Sequence, residues 1–444
     1  MNIVMIGTGY VGLVSGVCFS ELGNNVVCVD KDKKIIDNLN SGIVPIFEPS
    51  LEDLVHKNMK KGRLRFSKEL KSEINSADII FIAVGTPRGK ENGEADLSSV
   101  FGVAEELSES IDKDMIVAMK STVPVGTMKI IENIFKSKPN YKKIKTASVP
   151  EFLREGLAVQ DFMGPSRVVV GSNYSEAHSI LYKLHQPLIK SNKDLYFETD
   201  PQTAELTKYA SNAFLAVKIS FINEISNLCE KVGANVEDVA DGMGLDKRIG
   251  RWGLSAGPGY GGSCFPKDTL ALIHTASQNE SPLRIVEAAV SVNDSRKAFI
   301  FSKISEEFNN DLRNKNFCIL GLTFKAGTDD LRDSPSMDLI PKLIEYGSNI
   351  RAYDPQGIDE ARKKIEGSIV WCKNLYQAVE NVDAIIFMTE WPEFDSKNID
   401  FKKVANLVNQ KTIIDFRNMY KPSYLTDLGF HYISLGRKVG RPLG

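Results

Sequence analysis

A glycine-rich turn near the start of the chain constrains the fold more than any other feature of the sequence. Gly7, Gly9 and Gly12 form a G-x-G-x-x-G pattern directly after an apolar run, and an amphipathic stretch follows. Glycines allow a tight turn between a strand and a helix, and the amides at the N-terminus of that helix can bind a pyrophosphate. In this context the pattern predicts a dinucleotide-binding Rossmann domain.

An acidic residue at the end of the second apolar run refines this prediction. Asp30 follows Gly12 by 18 residues. A carboxylate at this position accepts hydrogen bonds from a ribose 2′-hydroxyl and repels a 2′-phosphate. The sequence therefore favours NAD over NADP as the cofactor.

Short apolar runs alternate with amphipathic stretches in two regions of the chain. Such runs, separated by helices, are typical of parallel sheets covered on both faces. A segment between the two regions, from Pro201 to about Lys231, contains no further Gly or Pro and is apolar on most sides. As a helix it would be ~45 Å long. We predict an α/β fold in which two doubly wound Rossmann-like domains are joined by a long central helix.

The 444 residues suggest about three domains, because a domain usually spans ~150 residues. We place an NAD-binding Rossmann domain at 1–200, a central helical region for dimerisation and catalysis at 201–300, and a C-terminal α/β domain at 315–444. The central helix carries more apolar surface than a connector should expose, so we expect a homodimer or a multiple of it.

The overall charge excludes several classes of partner. Lys+Arg 55 against Asp+Glu 57 gives a net charge of −2, which provides no electrostatic attraction to nucleic acid or to anionic membranes. The N-terminal apolar run is broken by glycines and lacks a basic leader, so we expect neither a signal peptide nor a spanning helix. Six scattered cysteines and five histidines indicate neither a disulfide framework nor a metal site. We place the protein in the cytoplasm.

The segment from Gly257 to Asp268 is the most informative stretch for chemistry. Four glycines and two prolines surround Cys264, which indicates a shaped loop in which the thiol need not be buried. Nearby cations and backbone dipoles favour the nucleophilic thiolate, and Lys267 is close in sequence. We predict that Cys264 is a nucleophile and that the other five cysteines are packing residues.

Two pairs of polar residues share an i,i+4 spacing. Lys208 and Asn212 lie near the start of the central helix, where they form either a solvated turn or a buried pair for proton transfer or oxyanion stabilisation. Glu151 and Glu155 are expected on a short helical turn after a strand, where one holds water or substrate or both form an exposed acidic turn.

Two further segments follow predicted strands, at the sheet edge where cofactors bind in Rossmann folds. Thr86 lies in Gly85–Pro87, and Thr122 lies in Lys120–Pro124. Each segment is either part of the cofactor site or an ordinary polar turn.

Taken together, these segments resemble the UDP-glucose/GDP-mannose dehydrogenase family over nearly the whole chain. The motifs that carry the resemblance occur in family order: Gly7–Gly12, Val149–Gly156, Lys208–Ala213, the Cys264 loop and Gly321–Pro335. The resemblance implies an NAD-dependent, four-electron oxidation of a sugar-nucleotide primary alcohol to a carboxylate. It further implies aldehyde, thiohemiacetal and Cys264 thioester intermediates.

The resemblance also assigns roles to residues. The implied catalytic residues are Cys264 as nucleophile, Lys208 and Asn212 at the oxyanion, Asp268 and Thr122 in the proton and water network, and Glu151 in thioester hydrolysis. The expected cofactor contacts are Gly7, Gly9, Tyr10, Val11, Gly12, Asp30, Thr86, Thr122, Glu155 and Arg332. The expected substrate contacts are Glu151, Phe152, Leu153, Glu155, Lys208, Asn212, Ser255, Tyr260, Gly261, Phe324, Lys325 and Arg417, with Arg248 reaching into the neighbouring subunit's site.

Several alternatives remain open at the level of sequence. Tyr260 and Phe265 favour UDP-glucose as the substrate, with GDP-mannose and UDP-N-acetylmannosamine as competitors within the family. A two-electron hydroxyacid dehydrogenase would use the Lys208 and Asn212 pair but gives no role to the Cys264 loop. A non-catalytic nucleotide-sensing protein would need only the glycines.

Overall fold

A computed structural model of the chain describes residues 1–89, 93–190 and 192–442. It divides into two compact units. The first unit comprises Met1–Ser211 and Leu270–Ser281, and the second comprises Asn212–Thr269 and Pro282–Gly444. Each unit contains one sheet of mostly apolar strands.

The first unit is built on an eight-stranded sheet with the order β3-β2-β1-β4-β5-β6-β7-β8. The strands are β1 Asn2–Ile6, β2 Asn25–Val29, β3 Leu64–Ser67, β4 Ile79–Ile82, β5 Met115–Met119, β6 Ile144–Ser148, β7 Val168–Gly171 and β8 Tyr196–Thr199. All neighbouring strands are parallel except β6 and β7, which meet in an antiparallel bridge. The prediction of a wholly parallel sheet is therefore wrong at this one junction.

Helices connect these strands and cover both faces of the sheet. They are α1 Tyr10–Glu21, α2 Lys33–Asn40, α3 Leu51–Lys60, α4 Leu70–Ile74, α5 Ser98–Ser110, α6 Thr127–Lys136, α7 Ala158–Met163 and α8 Ser175–Ile189. Alternate side chains of β1 enter different cores, Ile3 and Met5 on one face and Val4 and Ile6 on the other. This double coverage explains why the strand is apolar at every buried position.

The predicted central helix is confirmed as α9 Pro201–Val232. Its first residues, up to Ser211, belong to the first unit, and the rest belongs to the second. The central region also contains α10 Val236–Gly244, α11 Phe265–Gln278 and α12 Arg284–Glu307.

The second unit contains a six-stranded sheet with the order β11-β10-β9-β12-β13-β14, parallel throughout. Its strands are β9 Asn316–Leu320, β10 Asn349–Tyr353, β11 Ile369–Trp371, β12 Ala384–Phe387, β13 Thr412–Asp415 and β14 His431–Ser434. Its helices are α13 Pro335–Glu345, α14 Ile358–Lys364, α15 Leu375–Ala378, α16 Phe401–Leu407 and α17 Pro422–Thr426. The prediction of two doubly wound domains is confirmed.

The first turn of each sheet has the same construction. Gly7 donates to the carbonyl of Val29 at 2.7 Å, and Gly321 donates to the carbonyl of Tyr353 at 2.9 Å. In each case an aspartate directly follows the second strand, Asp30 after β2 and Asp354 after β10, and accepts an amide from the first turn. The two halves of the chain therefore share a local architecture that the apolar runs alone do not reveal.

Among the described residues, no helix combines the length and apolar character needed to cross a membrane.

Candidate active site

The Gly7 turn has the geometry that the sequence predicts for a pyrophosphate cradle. Gly7 has a φ of +101°, and a Cβ on it would lie 2.6 Å from the carbonyl oxygen of Ala83, so a side chain is excluded. Gly9 caps α1, and a Cβ built on Gly9 has no heavy atom within 4 Å. The turn therefore leaves open room beside the helix N-terminus, which fits the phosphates of a dinucleotide.

Asp30 is placed at the end of β2, as predicted, but it also braces the turn. Its Oδ2 accepts the backbone amide and the hydroxyl of Thr8, both at 2.8 Å. Its Oδ1 accepts the amide of Asp32 at 3.0 Å. The carboxylate is thus fixed by the loop that carries the glycines.

Tyr10 links the glycine turn to the segment that carries Glu155. The amide of Gly156 donates to the Tyr10 hydroxyl at 2.9 Å, and this hydroxyl contacts the carboxylate of Glu48. Glu48 is buried and also accepts the amides of Gly156 at 2.6 Å and Ala158 at 2.7 Å. Sequence reasoning missed Glu48 because a single acid in a loop gives no spacing signal.

Three predicted polar residues follow neighbouring strands of the first sheet. Thr86 follows β4, Thr122 follows β5 and Glu151 follows β6, so all three lie at the carboxyl edge. The Thr86 hydroxyl donates to the carbonyl of Thr122 at 2.9 Å. The two segments are thus joined at the edge where cofactors bind, and the cofactor role of each stays a prediction.

Glu151 and Lys208 form a buried ion pair of 2.9 Å, in which each side chain is 4% exposed. Burial raises the pKa of Glu151, but the charge and hydrogen bond of Lys208 outweigh it and hold the pKa below its ordinary value. The Lys208 ammonium also lies 5.3 Å from the ring centroid of Phe152, and the Arg167 guanidinium lies 3.8 Å from it. The solvated-turn alternative for Lys208 is therefore wrong.

The predicted helical turn from Glu151 to Glu155 is also wrong. Residues 151–154 are irregular, and the next helix, α7, begins only at Ala158. Glu151 uses its carboxylate to accept the amide of Leu153, which replaces a helical backbone bond. Glu155 is buried, so the exposed acidic turn is excluded as well.

Cys264 differs from the other five cysteines because it is partly exposed, whereas they are buried. It directly precedes α11, and its carbonyl accepts the amide of Asp268 at 2.8 Å. Burial raises the pKa of Cys18 and of Cys28 to about 12, which leaves them protonated and inert. Cys264 instead lies at a helix N-terminus, where backbone dipoles favour negative charge.

The backbone around Cys264 is held by its neighbours in the second unit. Gly262 has a φ of +83°, and a Cβ on it would lie 2.6 Å from the ring of Phe324. The amide of Gly262 donates to the carbonyl of Arg332 at 2.8 Å. The Ser263 hydroxyl lies 3.4 Å from the Cys264 sulfur. The loop is therefore shaped by the turn that contains Phe324 and Arg332.

Asp268 is 1% exposed and is held by two donors. Asn212 donates to its Oδ2 at 2.6 Å, and the ammonium of Lys267 pairs with its Oδ1. Asn212 is itself buried, so the solvated-turn alternative is wrong for Asn212 as well as for Lys208. The Lys267 ammonium, which the sequence places near the thiol, pairs with Asp268 in the structure.

The second unit brings several predicted substrate residues together at the carboxyl edge of its sheet. Arg417 donates to the carbonyls of Met388 and Phe324, both at 2.7 Å. A Cβ built on Gly257 lies 3.5 Å from Arg417 Nη1, and one built on Gly261 lies 3.2 Å from Phe324 Cβ. Gly257, Gly261, Phe324 and Arg417 therefore form one cluster.

The remaining predicted residues have more varied surroundings. Tyr260 is buried, Ser255 is exposed, and the Lys325 ammonium lies 5.6 Å from the ring centroid of Phe324. Arg248 and Arg332 each bond an aspartate two residues earlier in the chain, and the Arg248 side chain is 89% exposed.

Sequence reasoning missed two residues that support the loop before Cys264. Asn293 accepts the amide of Tyr260 at 2.8 Å, and the fully buried Arg296 donates to the carbonyl of Gly257 at 2.9 Å. Both lie on α12, where scattered polar residues gave no motif. Among the described residues, no group of His, Cys, Asp and Glu is arranged to hold a metal ion.

Comparison with known proteins agrees with this geometry. The sequence matches three domains of the UDP-glucose/GDP-mannose dehydrogenase family: the NAD binding domain over residues 1–189, the central domain over 202–295 and the UDP binding domain over 318–422. The Gly7 turn therefore belongs to an NAD-binding domain, and Phe324 and Arg417 lie in a UDP-binding domain.

Similar proteins match over nearly their full length. A UDP-glucose 6-dehydrogenase from Rhizobium meliloti is 47% identical over 98% of this chain and 100% of its own. A UDP-glucose 6-dehydrogenase from Rickettsia bellii is 44% identical over 99% and 100%. The solved structure of a UDP-glucose dehydrogenase from Pyrobaculum islandicum has a TM-score of 0.87 at 35% identity and covers 95% of each chain. The chain belongs to the UDP-glucose/GDP-mannose dehydrogenase family, whose enzymes are NAD-dependent.

Proposed function

We propose that the protein oxidises UDP-glucose to UDP-glucuronate with NAD, in two successive two-electron steps. The observation that carries this proposal is Cys264, a partly exposed cysteine at a helix N-terminus in a chain with a dinucleotide turn. A single oxidation to an aldehyde gives no role to a nucleophilic thiol, whereas a thiol can carry the aldehyde through a covalent intermediate to the acid level. Two relatives that match almost the whole chain are named UDP-glucose 6-dehydrogenases.

The proposed chemistry of Cys264 balances as follows. The sulfur forms a bond to the aldehyde carbon, and the thiol proton is transferred to the carbonyl oxygen, which gives a thiohemiacetal. The thiohemiacetal carbon then loses a hydride, which is one proton with two electrons, and its hydroxyl group loses a proton. The product is a thioester. Water then adds to this carbonyl, the carbon–sulfur bond breaks, and the thiol and a carboxylate are released. Bound NAD supplies the oxidising power by accepting one hydride in each oxidation.

The catalytic roles follow from the chemistry of each side chain. Lys208 and Asn212 provide N–H donors for the substrate oxygen as its charge changes. Asp268, held by Asn212 and Lys267, and the Thr122 hydroxyl move protons and order water. Glu151 assists the attack of water on the thioester because it is an ionised carboxylate that can accept a proton.

The ligand contacts complete the proposal. We assign NAD to the glycine turn with Tyr10 and Val11, to Asp30, Thr86 and Thr122, and to Glu155 and Arg332. We assign the sugar nucleotide to Glu151, Phe152, Leu153, Glu155, Lys208, Asn212, Ser255, Tyr260, Gly261, Phe324, Lys325 and Arg417. The cluster at the edge of the second sheet supports the nucleotide part, because cations and amides there suit a diphosphate.

Product stoichiometry with a panel of sugar nucleotides tests this function. We expect two NADH and one acid per UDP-glucose, with weaker use of GDP-mannose and UDP-N-acetylmannosamine. A plateau at one NADH with accumulation of aldehyde would select a two-electron dehydrogenase instead. Preference for another sugar nucleotide would keep the mechanism and change the substrate. NADP is expected to be a poor cofactor because Asp30 repels its 2′-phosphate.

We further propose that the protein is a homodimer or a multiple of it. Apolar side chains of α9 in the second unit are exposed at a spacing of seven residues: Phe214 at 65%, Phe221 at 44% and Leu228 at 53%. Such a stripe on one helix face is typical of a surface covered by a partner. Arg248 is assigned to the partner's active site, and its side chain extends into solvent in the single chain.

Subunit complementation tests this assembly. Inactive Arg248→Ala and inactive Cys264→Ser subunits, mixed under conditions of exchange, should recover part of the activity because one hybrid site has both wild-type residues. Full activity of a dilute monomer, measured with sedimentation, would contradict a shared site.

We place the enzyme in the cytoplasm because all six cysteines are free thiols, as expected in a reducing compartment. Cell fractionation tests this placement.

A further inference from the structure

A second buried lysine lies near the ion pair of Glu151 and Lys208. Lys120 directly follows β5, and its amide donates to the carbonyl of Ile82 at 2.8 Å. Its side chain is buried, with the residue 5% exposed. The ammonium lies 6.0 Å from the ring centroid of Phe162. Lys120 is therefore a desolvated cation inside the first unit.

The sheet register explains why Lys120 and Glu151 act on one another. Met119, the last residue of β5, is paired with Ser148, the last residue of β6, and the amide of Val149 donates to the carbonyl of Met119 at 2.8 Å. Lys120 and Glu151 thus follow the ends of two neighbouring strands, β5 and β6, at the carboxyl edge of the sheet. Each affects the pKa of the other through its charge.

Lys120, Lys208 and Glu151 differ in the sign of their charges, and two of the three are cations. Lys120 and Lys208 carry two positive charges, and Glu151 carries one negative charge. Glu151 forms its ion pair with Lys208, and in the described parts of the chain the Lys120 ammonium has no ion pair of its own. The buried His185 on α8 adds no charge, because burial, followed by the charge of Lys120, lowers its pKa to about 3. Burial likewise lowers the pKa of Lys120, to about 8.

An unpaired buried cation is unfavourable for folding, so its presence calls for a functional reason. The ionisation state of Glu151 provides such a functional reason. Burial is the largest influence on the pKa of the Glu151 carboxyl and favours the neutral form, and it is opposed by Lys208, then by the Leu153 amide, then by the charge of Lys120. If Lys208 turns its ammonium to a substrate oxygen, Glu151 loses its main stabilising partner at the stage when a carboxylate is needed.

We propose that Lys120 is a positioning residue whose ammonium keeps Glu151 ionised while Lys208 is engaged with the substrate. This proposal rests on the proposed function, because it assumes that Glu151 assists hydrolysis of the Cys264 thioester. In this role Lys120 acts without touching the substrate or the reacting atoms. Its effect is electrostatic, and Glu151 transmits it to the hydrolytic step.

The test is the pH dependence of thioester hydrolysis in Lys120→Met, with Lys120→Arg as the charge-conserving variant. The enzyme with NAD is mixed with UDP-glucose, quenched, and the acyl adduct on Cys264 is followed by intact-protein mass spectrometry at a series of pH values. In Lys120→Met the acidic limb of the hydrolysis profile should move up by at least one pH unit. At pH values on this limb, hydrolysis should be at least tenfold slower than in the wild type. Lys120→Arg should retain the wild-type limb.

Controls separate this role from a structural one. Lys145→Met removes a lysine of β6 whose ammonium lies 5.3 Å from the ring centroid of Tyr174, and it should leave the profile unchanged. Lys120→Gln provides a second neutral variant if Lys120→Met does not fold. In a Glu151→Gln background, Lys120→Met should have no further effect on hydrolysis.

Two outcomes overturn the proposal in different ways. A Cys264 adduct that is hydrolysed with the wild-type pH profile in both neutral Lys120 variants would refute the role of Lys120 and leave the proposed function intact. Absence of any adduct on Cys264, in the wild type and in Glu151→Gln, would refute the thioester mechanism and this proposal with it.

Discussion

Asn212 donates a hydrogen bond of 2.6 Å to Asp268, and the Asp268 carboxylate is also paired with Lys267. The bond joins a residue of α9 to a residue in the first turn of α11, four positions after Cys264. One buried carboxylate therefore fixes both the amide assigned to the oxyanion and the helix that begins after the nucleophile.

Asp268→Asn tests this arrangement. The new amide has no negative charge to pair with the Lys267 ammonium, and its NH2 group replaces one of the two acceptor oxygens, so one of the two donors loses its acceptor. We expect the free energy of unfolding to fall by about 1–3 kcal/mol, measured by urea denaturation. Turnover should fall by about 10²–10⁴ because proton transfer is impaired.

Asp311→Asn is the matched control. Asp311 pairs with Arg313 on the surface, and both side chains are largely exposed. Exposed pairs contribute little to stability, so this variant should resemble the wild type in both measurements. Equal effects of the two substitutions would argue against a special role for Asp268.

Cys264→Ser should abolish formation of the acid. Serine keeps the shape of the side chain but is a much poorer nucleophile near neutral pH, so turnover to the acid should fall by several orders of magnitude. Folding and NAD binding should persist because the sulfur is partly exposed and outside the glycine turn. Release of acid is measured together with NADH and with thermal unfolding.

Cys318→Ala provides the contrast. Cys318 is buried in the core of the second sheet, so its truncation should lower stability and leave turnover per folded enzyme unchanged. Near-normal acid production by Cys264→Ser would eliminate the covalent mechanism.

The strands that could be predicted from sequence are those whose residues are apolar throughout. β4 and β5 bury every position and β1 buries every position except Asn2, and their continuous apolar runs reflect packing on both faces. β6 contains Lys145 and Thr146, and β8 is largely exposed, so neither carries this signal. Their existence depends on pairing with neighbours, which the sequence pattern does not encode.

In the candidate site, too, local features could be predicted from the sequence and long-range contacts could not. The glycine turn and Cys264 are local features, and the structure places each in the context that its motif predicts. Spacing alone left Lys208 and Asn212 equally compatible with a solvated turn and a buried pair. The distinction depends on Glu151 and Asp268, which are 57 and 56 residues away in the chain. Such long-range contacts require the fold.

We expect Glu205 to make the free energy of unfolding depend on pH. This α9 carboxylate is 2% exposed and accepts the amides of Gly126 at 2.7 Å and Met128 at 2.8 Å, at the N-terminus of α6. Burial raises its pKa from 4.5 to about 7, with a smaller contribution from the charge of Asp200, although the two backbone bonds oppose the shift. The folded protein therefore binds more protons than the unfolded chain between pH 4.5 and 7.

The sign follows from this difference. The free energy of unfolding falls as the pH rises through this window, by about 3 kcal/mol from Glu205, and the loss is complete above pH 7. Urea denaturation between pH 4.5 and 8 should show a flatter profile for Glu205→Gln than for the wild type. Glu52→Gln, at an exposed position on α3, is the control. An unchanged slope in Glu205→Gln would show that Glu205 does not titrate in this range.

We expect substitutions of Arg417 and Lys325 in the second unit to lower the affinity for the sugar nucleotide selectively. Arg417 bridges the carbonyls of Met388 and Phe324 and pairs with Glu390 at 3.0 Å, so it combines a positive charge with a brace for the Phe324 turn. Lys325 is adjacent to this turn. A diphosphate bound here needs both cations, because charge-assisted hydrogen bonds to phosphate are among the stronger polar contacts.

Lys325→Ala removes a cation, and Arg417→Ala removes a cation and the brace. Each should raise KM for UDP-glucose at least tenfold, equivalent to about 1.4 kcal/mol, and leave the affinity for NAD nearly unchanged. Arg417→Lys should recover part of the affinity, since it restores the charge without the two-carbonyl bridge. Lys397→Ala, which removes an exposed partner of Asp395, should have no effect. Unaltered KM in both alanine variants, or a loss confined to NAD, would mean that the second unit does not hold the substrate.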